Sequence, residues 1–157
     1  MILCSGRPLD SILLVQSYLE SLSIHFPYSY VIANNGTLVY DCNEKKAVLE
    51  DRLPIELIPQ AQALARQQHV HLQTYTDHEI VCERETPELL HYQAHVKIPA
   101  VFAEDYAKVL SKPPFKMLAL SLDGSDALKQ FRMQIQTALG DGVQTMFSGA
   151  GYLEIFS

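Results

Sequence analysis

Apolar residues recur along the chain in two rhythms, one near 3.6 residues and one of two, and these mark where helices and strands are expected. Ile2 to Ser5 reads as the tail of a buried strand. From Leu9 to Leu22 the residues Ile12, Val15, Tyr18, Leu19 and Leu22 form a helical stripe, and Pro8 and Asp10 suit a first turn. The stretch "SYVIANNGTLVYD" is two β-rich runs joined at Asn34-Asn35-Gly36, where Asn and Gly supply the positive φ that a tight hairpin demands. A third strand is expected over Ala47 to Glu50, closed by Pro54.

A second helical stripe runs from Glu56 to Gln68 through Leu57, Ile58, Ala61, Leu64 and Ala65, with Pro59 tolerable only in the first turn. "VHLQTYT" and "EIVCER" alternate as strands around Asp77-His78, and Pro87 opens a helix through His95. "IPAVFAEDYAKVLSKPP" shows no clear rhythm beyond helical turns near Glu104 to Leu110. "FKMLALSL" reads as a strand covered on both faces. Asp123 or Ser125 is expected to cap a helix striped by Leu128, Phe131, Ile135, Ala138 and Leu139 and ended by Gly140. "VQTMFS" and "YLEIFS" flank Gly149-Ala150-Gly151 as a hairpin. The pattern is that of an α/β or α+β fold.

A length of 157 residues with 48% hydrophobic and 19% charged content supports one full core. Twelve basic residues against 18 acidic ones leave a net charge of -6, and no basic run exceeds Lys45-Lys46, which argues against nucleic acid or anionic membrane as a partner. No apolar run approaches the roughly 20 residues that span a bilayer. Cys4, Cys42 and Cys82 are an odd set without CxxC spacing, which fits a reducing cytoplasm and a role as core fillers.

Several residues invite a chemical reading. His91 and His95 lie four apart, so a helix sets both on one face as a zinc pair requires, but Tyr92 stands where a zinc peptidase carries Glu and no third ligand is evident. They read as a solvated face, His69 and His71 on one strand face are discounted likewise, and no metal site is expected. No Ser/His/Asp motif or P-loop lysine is present. What remains is Ser5-Gly6-Arg7, between a strand end and a helix start, where amides, a hydroxyl and the positive helix end can together hold an anion. On the residues alone a plain strand-to-helix turn explains it equally well.

Taken in order and spacing, "ILCSGRP", the following helix, "YVIANNGTLVYD", "FKMLALSL" and "YLEIFS" resemble the Cof-type branch of the haloacid dehalogenase (HAD) superfamily of phosphatases. The resemblance covers nearly the whole chain, and its most specific parts are the Ser-Gly-Arg-Pro loop and the Asn-Gly hairpin one helix later. It implies an HAD-like α/β fold: a partial Rossmann-like core over residues 1–50, an α/β (α+β) cap over 51–152 that covers the substrate, and a strand over 153–157 returning toward the core. By resemblance Ser5 is the hydroxyl that holds the transferring phosphoryl group. Gly6 lets the backbone approach, Arg7 lines the entrance, Asn35 and Gly36 face the site, and Lys116 points toward substrate from the cap.

The family also carries an Asp-x-Asp pair with the nucleophile, a lysine after a segment like "YLEIFS", and a loop that holds Mg2+. None of these is matched by residues 1–157, so no complete catalytic set and no bound Mg2+ are expected for this chain. The implied function is a Mg2+-dependent phosphatase of small phosphorylated metabolites, here inactive alone and serving as a substrate-covering piece. The alternative is a non-catalytic interaction module that self-associates or completes its core with another chain, since Ile2, Leu3, Leu153 and Ile155 would otherwise lie uncovered, making a homo-oligomer an expected partner.

Overall fold

The computed structural model describes residues 1–157, which divide into two compact units, Met1–Asp51 and Arg52–Ser157. In the first, β1 (Ile2–Cys4), α1 (Leu9–Ser21), β2 (Tyr30–Ala33), β3 (Leu38–Asp41) and β4 (Lys46–Glu50) build one sheet in sequence order. β1 and β2 run parallel, as the helix between them requires, and the remaining pairs are antiparallel. The hairpin expected at Asn34-Asn35-Gly36 is present, with Ala33 opposite Leu38.

Two expectations for this unit need correction. β1 was read as buried, yet it pairs only with β2, so it is an edge strand and Ile2 is 66% exposed. The stripe on α1 was centred too far round the helix. Ile12 is buried, with Leu13, Gln16 and Leu19 half-buried beside it, whereas Leu14 (72% exposed), Val15, Tyr18 (64%) and Leu22 face outward. The apolar arc of α1 is wider than the one face a single sheet can cover, and periodicity cannot say which part of it is taken.

The second unit is a six-stranded sheet in the order β7-β6-β5-β8-β10-β9. Its strands are β5 (His71–Tyr75), β6 (Ile80–Cys82), β7 (Ala100–Phe102), β8 (Lys116–Leu120), β9 (Gln144–Gly149) and β10 (Tyr152–Phe156). Its helices are α2 (Ile58–Gln68), α3 (Pro87–Val96) and α4 (Ser125–Leu139). Alternation along each strand divides the side chains between two faces. Leu72, Met117, Ala119, Leu153 and Ile155 share a core with Ile58, Ala61 and Ala65 of α2 and Leu128, Phe131 and Ile135 of α4. On the other face Ile80 and Cys82 pack with Leu89 of α3.

β10 is bonded along its length to β8 on one side and β9 on the other, and Leu153 and Ile155, expected to be uncovered, are fully buried. α4 keeps its buried residues Leu128, Phe131, Ile135 and Leu139, but neither Asp123 nor Ser125 caps it; Gly124 occupies the N-cap with φ 90°. Pro59 falls in the first turn of α2, as it must. The stretch without rhythm contains β7, which pairs in parallel with β6 across α3, and a short 3-10 turn at Tyr106–Lys108.

Candidate functional site

In the first unit, two loops meet at the end of β1. The Ser5 N–H donates to the Ile32 carbonyl (2.9 Å), carrying the parallel ladder one residue beyond Cys4. The Ser5 hydroxyl then accepts from the Arg7 amide (3.2 Å), folding the loop back on itself. Because that oxygen accepts from the chain, its own proton remains available to an anion. The Asn34 N–H donates to the Arg7 carbonyl (3.0 Å), which ties the β2–β3 turn to the Ser5–Arg7 loop.

The turn itself depends on residue type. Asn34, Asn35 and Gly36 have φ of 49°, 63° and 97°, three successive left-handed residues of the kinds that tolerate this conformation. Buried Thr37 locks it by donating from its hydroxyl to the Asn34 carbonyl (2.7 Å). The result sets Asn35 Oδ1 where a Cβ on Gly6 would be only 2.6 Å away, so any larger residue at position 6 would have to displace the Asn35 side-chain amide. Asn35 Oδ1 is buried and accepts no hydrogen bond from the chain. α1 begins two residues after exposed Arg7, with no side chain capping its N-terminus, which leaves first-turn amides and the positive helix end at the close of this loop.

Ser5, Gly6, Arg7, Asn35 and Gly36 are therefore brought together by the two loops. Asn34 was read only as part of the turn, and Thr37, which locks it, was missed; its signal was the unusual run Asn-Asn-Gly-Thr itself. Lys116 belongs to the second unit, at the start of β8. Its ammonium lies 3.0 Å from Glu154 Oε2, and both side chains are more than nine-tenths buried. Glu154 Oε1 accepts from the Ser148 hydroxyl (3.0 Å).

The second unit also contains a polar chain that sequence reading overlooked. Thr86 caps α3 by accepting from the Leu89 amide, so its hydroxyl proton goes to His71 Nδ1 (2.9 Å). That leaves the other ring nitrogen, Nε2, to donate to Gln73 Oε1 (3.0 Å). Gln73 donates in turn to the Tyr75 hydroxyl (2.8 Å) and Tyr75 to Tyr92 (2.9 Å). His71, Gln73 and Tyr75 alternate along "HLQTY", a period of two that marks one strand face. Beside this chain lies a cavity of about 500 Å³ lined in part by Arg66, His69, His71, Glu83, Arg84 and Thr86. Arg66 is engaged by Glu83 (2.9 Å) and the Glu104 carbonyl.

Burial lowers the His71 pKa below its ordinary 6.5, the bond to Gln73 offsetting part of the effect. Native His71 thus holds fewer protons than the unfolded chain, and stability rises with pH in that interval. The His71 contribution is complete above about pH 6.5 and is lost as pH falls below that value toward the native pKa. Urea midpoints measured from pH 7.5 to 5 should decline, and His71→Gln should flatten the decline, with a slope difference of at most about 1.4 kcal/mol per pH unit.

The remaining candidates separate. His69 is not on a strand: it ends α2 in a left-handed conformation (φ 56°), so it and His71 do not share a face. His91 and His95 do share one face of α3. Of the cysteines only Cys82 is buried, its thiol pushed up to about 11 by desolvation, while Cys4 is exposed rather than a core filler. No helix is long and apolar enough to cross a membrane.

The sequence-family model for haloacid dehalogenase-like hydrolases matches residues 1–157. Among solved structures, a haloacid dehalogenase-like hydrolase from Bacteroides thetaiotaomicron superposes with a TM-score of 0.82 at 22% identity, covering 99% of this chain and 57% of that one. TM0651 from Thermotoga maritima is similar at a TM-score of 0.75 and 26% identity, with 99% and 55% covered. The HAD subclass IIB sugar phosphatase BT4131 is similar in fold at 0.70 and 13%, with 99% and 55% covered. The chain thus spans a little over half the length of these structures. No curated protein matches it.

Proposed function

Because the chain belongs to the haloacid dehalogenase-like hydrolases, we propose that it serves a Cof-type phosphatase acting on small phosphorylated metabolites. In this reading residues 1–51 hold the phosphoryl group and residues 52–157 form the cap that covers the substrate. The observation that carries it is the junction of the Ser5–Arg7 loop with the Asn34–Gly36 turn. At that junction the Ser5 hydroxyl, whose proton the loop does not use, sits in the segment that carries Arg7 and leads into the uncapped N-terminus of α1, three features that each favour an anion. An ammonium already matched by Glu154 adds little attraction for a phosphate, so Lys116 is left out of this group.

Phosphatases of this family generally use Mg2+. No three His, Cys, Asp or Glu side chains converge in this structure, so these residues do not fit a Mg2+ cradle. Nor do the 157 residues contain an Asp-x-Asp pair. Their proposed part is to bind and cover the phosphorylated substrate, not to attack phosphorus.

Titration with inorganic phosphate, followed at the Gly6 amide by NMR, tests this. Ser5→Ala should weaken binding about tenfold, as loss of one charge-assisted hydrogen bond implies. Unchanged affinity would remove Ser5 from the site, and Mg2+-dependent hydrolysis of an aryl phosphate that is abolished in Ser5→Ala would show that the chain does more than bind.

A second reading, an interaction module, is favoured by the outward apolar face of α1 (Leu14, Val15, Tyr18, Leu22) and the open edge of β1. A second copy of the chain would cover both. A strictly monomeric mass by light scattering at high concentration counts against it.

A further inference from the structure

We propose that His91 and His95 on α3 form a two-imidazole site for a borderline divalent transition-metal ion such as Ni2+, Cu2+ or Zn2+. Both residues are exposed, one helical turn apart, so an ion can reach them without disturbing the core. Their ring centres are 4.9 Å apart and their planes inclined by 55°, which is not a stacked pair. An ion at about 2.0–2.1 Å from an imidazole nitrogen lies about 3.2 Å from that ring's centre. Two rings on one ion, separated by angles from about 90° to about 109°, then have centres roughly 4.5–5.2 Å apart. The observed spacing falls inside that interval.

The second observation concerns protons. His95 Nδ1 lies 2.8 Å from the His91 carbonyl oxygen. A carbonyl can only accept, so Nδ1 carries a proton, and in the neutral ring it is Nε2 that holds the lone pair. A backbone carbonyl holding one ring nitrogen in this way fixes both tautomer and ring orientation, as it does for metal-bound histidines generally. Imidazole ligands select Ni2+, Cu2+ and Zn2+ over Mg2+ or Ca2+, which favour oxygen. Water completes the coordination sphere. The site uses none of the residues assigned to phosphate, so it stands or falls independently of that assignment. Its effect is to clip together the last two turns of α3, the helix whose Tyr92 ends the polar chain from Thr86.

The test is calorimetric titration of the tag-free chain with NiCl2, paired with thermal midpoints with and without the ion. One ion per chain and a raised midpoint are expected, and His91→Ala or His95→Ala should each weaken binding at least about tenfold. His69→Ala and His78→Ala should bind as the parent does. Because both ring positions are exposed, the metal-free midpoints of the two variants should match the parent, which separates lost binding from lost folding. Absence of saturable binding, equal binding by the His91→Ala/His95→Ala double variant, or loss of binding in Cys4→Ser instead would overturn the proposal.

Discussion

Replacing Glu154 with alanine is expected to destabilise the chain by about 3–5 kcal/mol, because the buried ammonium of Lys116 loses its counter-charge. The two groups sit on neighbouring strands, β8 and β10, 3.0 Å apart and with side chains only 8% and 9% exposed. The Ser148 hydroxyl bonds the far carboxylate oxygen, and the Tyr75 ring centre lies 5.9 Å from the ammonium. Loss of either partner alone leaves a charge in a poorly solvated place, whereas removing both leaves a cavity that apolar side chains can fill. The double variant Lys116→Met/Glu154→Leu should therefore recover most of the stability lost by Glu154→Ala. Urea unfolding of the parent, Lys116→Met, Glu154→Leu and the double variant gives the coupling directly. A loss below about 1 kcal/mol for Glu154→Ala, the range of solvated pairs, would contradict a buried pair.

The other large effect is expected at Gly151. Its φ is 82°, and a Cβ there would lie 2.1 Å from the Ser121 carbonyl oxygen, a backbone atom that cannot swing aside. The Ser121 N–H also donates to the Gly151 carbonyl (3.0 Å), so a shift at Gly151 pulls on the end of β8. Left-handed strain of about 1–3 kcal/mol, with the displaced bond of about 1 kcal/mol, puts Gly151→Ala at about 3 kcal/mol. That corresponds to a fall in Tm of roughly 6–12 °C for a chain of this size. Gly149→Ala is the control: its φ is not positive and its nearest atom, Tyr152 Cδ2, is 3.5 Å from the added methyl. It should change Tm by no more than about a third as much. Similar losses at both positions would mean that the hairpin, and not the approach to Ser121, sets the requirement for glycine.

What could be read from the sequence was mostly local. Asn-Asn-Gly gave the β2–β3 turn because few residue types accept three successive positive φ angles, and Ser-Gly-Arg-Pro gave the loop before α1 for similar reasons. The core side of α4 was legible because Leu128, Phe131, Ile135 and Leu139 are apolar on an otherwise polar helix. α1 was less so, being apolar on more than one side. The bond from Asn34 to the Arg7 carbonyl, which makes two turns into one site, joins residues far apart in sequence and has no local signature. Three-residue β7 has too few positions to show a period and exists through its pairing with β6. His71 was read with His69 as part of a solvated strand face, but it, Gln73 and Tyr75 are satisfied by one another and by α3. Polar alternation reports a shared face without saying whether water or a helix lies against it.

The place of β10 has a consequence for how the protein is made. The last strand in sequence lies between β8 and β9, and Leu153 and Ile155 fill the core beneath α2 and α4. On the ribosome, the second sheet therefore cannot close as its strands emerge in turn. β8 must wait with one edge unpaired through the synthesis of α4 and β9, and the unit becomes complete only once Phe156 is free to pair. During that interval an apolar edge of the second unit is exposed while its partner is not yet available, which favours aggregation of the nascent unit.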